Sequence, residues 1–206
     1  MPERGLKVLL VEGRPEPARA LVGQLAALGF RVAGVTGDGP QACQLSAQTR
    51  PDLVLLAHDP PLRDGIEIAR AFLRQTPLPV VLLTDQVESG MLERAQRAGV
   101  RSYLVQPVEE AVLGPALELV HHNFLRESRL AEEVADLREG LRRRKLLERA
   151  KGLIMDRLRV GEAEALARLE SFSRDQGCPL HRAAEEMIAS LVLIPTSRRQ
   201  SPASDR

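Results

Sequence analysis

Lys7-Val8-Leu9-Leu10-Val11, bounded by Gly5 and Gly13, is an apolar run one strand long, and its reading decides the fold. A strand with one wet face alternates apolar and polar residues. An unbroken run fits a strand covered on both faces, as in a parallel sheet. Outward from it, Pro17 to Leu28 sets Ala18, Leu21, Leu25 and Leu28 on one helical stripe that Gly29 closes. Arg31 to Val35 then reads as a strand, Gly39 to Gln48 as a helix and Asp52 to Leu56 as a third strand, followed by a loop from His58 to Gly65. Ile66 to Gln75 reads as a helix, Leu78 to Leu83 as a strand, Met91 to Ala98 as a helix closed by Gly99, and Tyr103 to Val105 as a fifth strand ending at Gln106-Pro107. Five strand-then-helix units with short connections predict an α/β domain: a five-stranded, parallel, doubly wound sheet with helices on both faces.

The chain has 206 residues, 44% of them apolar and 28% charged, enough for this domain and one further module. Aromatic residues are 2% (four Phe, one Tyr, no Trp), which argues against a base-stacking platform. Cys43 and Cys178 are too few for a disulfide scaffold or a thiolate zinc site and are expected to be reduced thiols. No apolar run approaches the ~20 residues of a membrane span, and the N-terminus has no signal-peptide profile. A cytoplasmic protein that makes no membrane contact is expected. The net charge of +1 conceals a basic stretch: residues 141–160 hold 8 Lys/Arg against 2 Asp/Glu. Such a stripe suits contact with a phosphate backbone, although a solvated helix face has the same composition.

After Val108 the pattern changes, and charges alternate with leucines to about Arg159, with Pro115 tolerated in the first turns of a helix. Leu113, Leu117, Val120 and Phe124 form one face, expected to lie on the first domain. Leu130, Val134, Leu137 and Leu141 then follow the 4-3-4 spacing of a coiled-coil seam and predict dimerisation; intramolecular packing of the same helix is the alternative. Residues 141–195 read as three helices: Leu141 to about Leu158, Gly161 to Arg174, and Leu180 to Leu193 after the turn Gly177-Cys178-Pro179. Thr196 to Arg206 is polar, and 196–206 is expected to be a disordered tail.

Functional groups of a doubly wound sheet gather at the carboxyl ends of its strands, here Glu12-Gly13, Ala57-His58-Asp59, Thr84-Asp85 and Gln106-Pro107. The order Val-Glu-Gly, Pro-Asp-Leu-Val-Leu-Leu-Ala, Asp64-Gly65, Thr84 and Gln106-Pro107 resembles a response-regulator receiver domain, which has a flavodoxin-like fold. In that family an acidic pair after the first strand binds Mg²⁺, an Asp after the third accepts phosphate, and a Thr/Ser and a Lys complete the switch. The resemblance therefore implies a degenerate site of Glu12, Gly13, Ala57, Thr84 and Gln106, with no phosphoacceptor, because Ala57 occupies its position. Asp59 and Asp64 are the candidate surrogate acceptors. His58 reads as a loop histidine, and no metal or cofactor is implied.

Glu148-Arg149-Ala150-Lys151-Gly152-Leu153-Ile154-Met155, then Glu162-Ala163-Glu164-Ala165, Leu169, Ser173, Asp175 and Leu180 to Ala184, resemble the ANTAR module. The whole chain is similar to regulators of the AmiR/NasT type. Its division would be 1–122 pseudo-receiver, 109–146 coiled-coil linker helix and 141–195 ANTAR. The resemblance implies a dimeric transcription antiterminator that binds tandem stem-loops in an mRNA leader, does not bind DNA and is no enzyme. It also implies control by a ligand-sensing regulatory protein rather than by phosphorylation. The candidate RNA contacts are Arg149, Lys151, Arg157, Arg168 and Arg174, supported by Arg142 and Lys145. Leu166 stands where the family has an aromatic residue and Glu170 where it has a basic one. These departures leave open a scaffold regulator with a degenerate ANTAR module, beside a phosphorelay regulator using a surrogate Asp.

Overall fold

The computed structural model describes residues 5–60, 64–87 and 89–193; the expected tail at 196–206 lies outside them. The elements in order are β1 (Lys7–Val11), α1 (Pro15–Ala27), β2 (Arg31–Thr36), α2 (Gly39–Thr49), β3 (Leu53–His58), α3 (Gly65–Leu73), β4 (Val80–Thr84), α4 (Met91–Ala98), β5 (Ser102–Val105), α5 (Glu110–Leu158), α6 (Glu162–Asp175) and α7 (Leu180–Leu193). Two compact units divide the chain, Met1–Arg129 and Leu130–Arg206.

In the first unit the strands pair in the order β2-β1-β3-β4-β5, all parallel. Successive side chains of a strand point to opposite faces, so each strand feeds two cores. Val8, Leu10, Leu53, Leu55, Val81 and Leu83 meet Leu21 and Leu25 of α1 and Leu113 and Leu117 of α5. Leu9, Val11, Val54, Leu56 and Leu82 meet Ala69 and Phe72 of α3 and Met91 and Ala95 of α4. The first face expected on α5 does lie against this core: Leu113 and Leu117 are fully buried and Val120 partly so. Phe124 sits half-buried under the Arg101 guanidinium, 5.7 Å from its ring centroid.

The sequence reading ended β3 at Leu56, whereas the strand continues through Ala57 and His58, paired with Leu83 and Thr84. Pairing with β4 holds two further residues in the sheet where local pattern suggested a loop. Asp64 then caps α3: its Oδ1 accepts from the N–H groups of Ile66 (3.1 Å) and Glu67 (3.3 Å), and its Oδ2 accepts from Arg94.

The linker helix and the first ANTAR helix, read separately from the sequence, belong to one continuous helix, α5. Gly140 does not interrupt it, because a lone exposed glycine costs a helix only about 1 kcal/mol relative to Ala. Arg159 in the left-handed region, with φ 54°, ends it. Ala150 and Ile154 of α5, Ala165 and Leu169 of α6, and Ala183 and Ala184 of α7 form a fully buried nucleus. Four of these six are alanines, which lets the helices approach closely. The turn into α7 is tied by Ser173 Oγ donating to the Cys178 carbonyl at 2.7 Å. Among the described residues no helix is long and apolar enough to cross a membrane.

Truncating Leu117 to Ala should cost about 2–5 kcal/mol, read as a lower urea midpoint of the first unit. Asp64 makes a pH-dependent contribution. Partial burial opposes its ionisation, but the Arg94 hydrogen bond and the helix N–H groups outweigh that and hold its carboxyl below the usual range. A depressed folded value means that the contribution is complete above an ordinary Asp value of about 4 and is lost as pH falls through the folded value. Asp64→Ala should lower stability at neutral pH by about 1 kcal/mol and flatten the acid limb of a stability–pH profile.

Candidate functional site

Two clusters carry the residues singled out from sequence, one in each unit. In the first unit, the ends of β1, β3 and β4 lie side by side because the sheet order places these strands next to one another. Glu12, just after β1, is 3% exposed. A buried carboxylate needs partners, and Glu12 finds them in Arg14. Its Oε1 accepts from the Arg14 backbone N–H at 2.7 Å and from Nε at 3.2 Å, and its Oε2 accepts from Nη2 at 3.0 Å. Arg14 Nη1 also reaches Asp59 at 3.1 Å and Asp85 at 3.4 Å. The Glu12 hydrogen bond keeps this guanidinium protonated well beyond its ordinary range, against a smaller effect of burial.

The remaining degenerate positions hold no carboxylate. Gly13 is exposed and Ala57 buried, and neither carries an oxygen on its side chain. Thr84 is buried, with its hydroxyl donating to the Gln86 carbonyl at 2.6 Å. Gln106, half-buried, sits in a cis peptide with Pro107, its backbone N–H on the Thr84 carbonyl at 2.8 Å. A divalent cation does not fit this donor set, because Glu12 has both oxygens on Arg14 and two of the ligand positions have none. The two candidate surrogate acceptors are also engaged, Asp59 with Arg14 and Asp64 as the α3 cap.

His58 corrects its reading as a loop residue. It ends β3, is 2% exposed, and its Nδ1 accepts from the Gly65 N–H at 3.1 Å. Gly65 is required there: a Cβ would stand 2.5 Å from the Ala57 carbonyl oxygen. Gly65 thus packs against the backbone of Ala57, the residue at the position that would hold an acceptor. Among the described residues no group of three or more metal-ligating side chains was found.

In the second unit, the candidate cations fall into distinct environments. Arg149 is exposed on α5, with Arg142 and Lys145 at helical spacing above it. Together with Arg138, Leu141 and Leu146 they line one shallow surface furrow. Lys151, two residues on, is turned about 160° from Arg149 by the helical pitch. It binds Glu148 at 3.0 Å and Glu162 at 2.7 Å, tying α5 to α6; these partners raise its pKa and lower that of Glu162. Arg168 is held by Glu164 at 2.6 Å, Arg157 is half-buried, and Arg174 is exposed in the last turn of α6. The candidates therefore do not share one face. Leu166 and Glu170 are exposed on α6.

The apolar seam is exposed as well: Leu130 is 53% accessible, Val134 44%, Leu137 61% and Leu141 59%. Sequence reasoning placed Asp85 at a strand end without giving it a role, and missed Arg14 along with the acidic partners of Lys151. A signal existed in that Glu12-Gly13-Arg14 puts a cation beside the one surviving carboxylate of the pair.

Comparison with known proteins matches these two parts separately. The response regulator receiver domain family matches residues 8–118, and the ANTAR domain family matches residues 135–188. The transcriptional regulatory protein PdtaR of Mycobacterium tuberculosis is 35% identical over 185 residues, covering 90% of each chain. The DNA-binding response regulator MtrA of Mycolicibacterium smegmatis is 33% identical over 101 residues, 49% of this chain and 44% of its own. Among solved structures, the receiver domain of a modulated diguanylate cyclase from Desulfovibrio desulfuricans G20 aligns with a TM-score of 0.54 at 30% identity. It covers 59% of this chain and 97% of that one. With a receiver fold in front and a three-helix module behind, matched together along nearly its whole length, the chain belongs to the ANTAR-domain response regulators, a regulatory family.

Proposed function

We propose that this protein is a dimeric, cytoplasmic, RNA-binding transcription antiterminator. It takes its signal from a ligand-sensing partner protein and grips tandem stem-loops in an mRNA leader. The observation that carries the reading is on α5, where Arg142, Lys145 and Arg149 stand exposed directly after an exposed leucine seam. Cations without a carboxylate partner are the ones free to replace counterions on a phosphate backbone. Arg142, Lys145 and Arg149 have no such partner among the described residues, and these three, with Arg174, are the leading contacts. Lys151 and Arg168 first have to leave Glu162 and Glu164.

The seam supports a second copy as its occupant. In a heptad with Val134 and Leu141 at a and Leu130 and Leu137 at d, Glu133 falls at g and Arg138 at the following e. In a parallel pair those positions meet across the seam with opposite charge. Two linked modules on two hairpins would gain affinity through effective concentration. Ala57 and the engagement of Asp59 and Asp64 with arginines support control by a partner rather than by phosphoryl transfer. The ion-paired Lys151 and Arg168 favour a second reading, a scaffold regulator whose ANTAR module no longer holds RNA.

Filter binding to an RNA with two short-loop hairpins should saturate at low salt and weaken steeply as salt rises. Reversing Arg142, Lys145 and Arg149 to Glu together should weaken it by more than about tenfold. An absence of saturable binding at low salt would sink the antiterminator and leave the scaffold. Leu137→Glu should convert a dimer to a monomer in sedimentation equilibrium, and lower affinity for the paired hairpins by about 100-fold while sparing a single hairpin.

A further inference from the structure

The carboxylates of Glu12, Asp59 and Asp85 belong to the turns after β1, β3 and β4 and converge on a single guanidinium. We propose that Arg14 is a covalently attached cation standing in for a divalent metal ion, clamping these turns in one state whether or not Mg²⁺ or a phosphoryl donor is present. The inference is independent of RNA binding.

Geometry and charge support it together. Arg14 presents Nε and Nη2 to the two oxygens of Glu12, at 3.2 and 3.0 Å from its nearest oxygens, which is the fork that a planar guanidinium makes with a carboxylate. Its remaining Nη1 faces Asp59 and Asp85 at 3.1 and 3.4 Å. One side chain thus bridges the turns of three strands, as an oxygen-seeking cation would. Unlike a metal ion it cannot dissociate, and it stays protonated across the accessible pH range. Glu12 is nine-tenths or more buried and is met on both oxygens, so the deepest of the three carboxylates offers no vacant oxygen to an ion from solution. The outer two carboxylates keep contact with water, Asp85 most of all, which screens the excess negative charge.

The test uses the full-length chain, with melting temperature and calorimetric MgCl₂ titration as readouts. The wild type should show no saturable Mg²⁺ heat and no change in melting temperature in millimolar MgCl₂. Arg14→Gln removes the cation from among the three carboxylates. It should melt several degrees lower, about 2–8 °C, and recover part of that loss on adding MgCl₂. Arg14→Lys should fall between the two, because an ammonium lacks the fork. A saturable Mg²⁺ response in the wild type overturns the proposal by itself, even if Arg14→Gln does not fold. A folded Arg14→Gln that melts like the wild type, or that melts lower and gains nothing from MgCl₂, overturns it equally. Asp85→Asn, which removes only the most exposed contact, should fold and melt slightly lower with no Mg²⁺ response; a response there counts against the clamp.

Discussion

The buried charge on Glu12 is the constraint around which the carboxyl edge of the sheet is organised. Taking an ionised carboxylate out of water costs several kcal/mol unless it is paired and hydrogen-bonded. The chain answers with a residue two positions along, whose backbone N–H and side chain both close on the same carboxylate. Because β1, β3 and β4 are neighbours in the sheet, the arginine that satisfies Glu12 also comes within reach of the turns that follow the other two strands. The same parallel order that gathers catalytic groups in other doubly wound proteins here gathers a finished ion cluster.

What surrounds that cluster removes the remaining chemistry of a receiver site. Ala57 is buried and has no side-chain oxygen, and Gly65 packs where any larger residue would meet its carbonyl. The hydroxyl of Thr84 is turned into its own turn and the carboxylate of Asp64 caps a helix. Each of these is an ordinary hydrogen-bonding need met locally, and the fold of the domain stays intact around them.

The second unit divides its charges by a similar rule. Cations near acidic residues on a neighbouring turn or helix become structural, as Lys151 does between Glu148 and Glu162. Among the described residues Arg142, Lys145 and Arg149, exposed on α5, have no carboxylate partner. The basic composition of residues 141–160 is therefore not one surface. Part of it fastens the three helices and part of it faces outward.

Much of this was legible without coordinates. The unbroken run at Lys7 to Val11, the leucine stripes of the helices, Ala57 at the acceptor position and the Ala150 to Met155 segment depend on local periodicity or on residue identity, and those are properties of the chain itself. The three-helix reading of the second unit and the burial of Leu113 and Leu117 came through for the same reason. Tertiary structure alone decided the rest. Pairing with β4 carried β3 through His58. The continuity of α5 rested on hydrogen bonding that tolerates Gly140. The union of Glu12, Arg14, Asp59 and Asp85, and the capture of Lys151 by Glu162, join residues up to 71 positions apart or set several partners on one group. No periodicity encodes such encounters, since Coulombic pairing depends on distance through space, and only the folded sheet and helix bundle fix that distance.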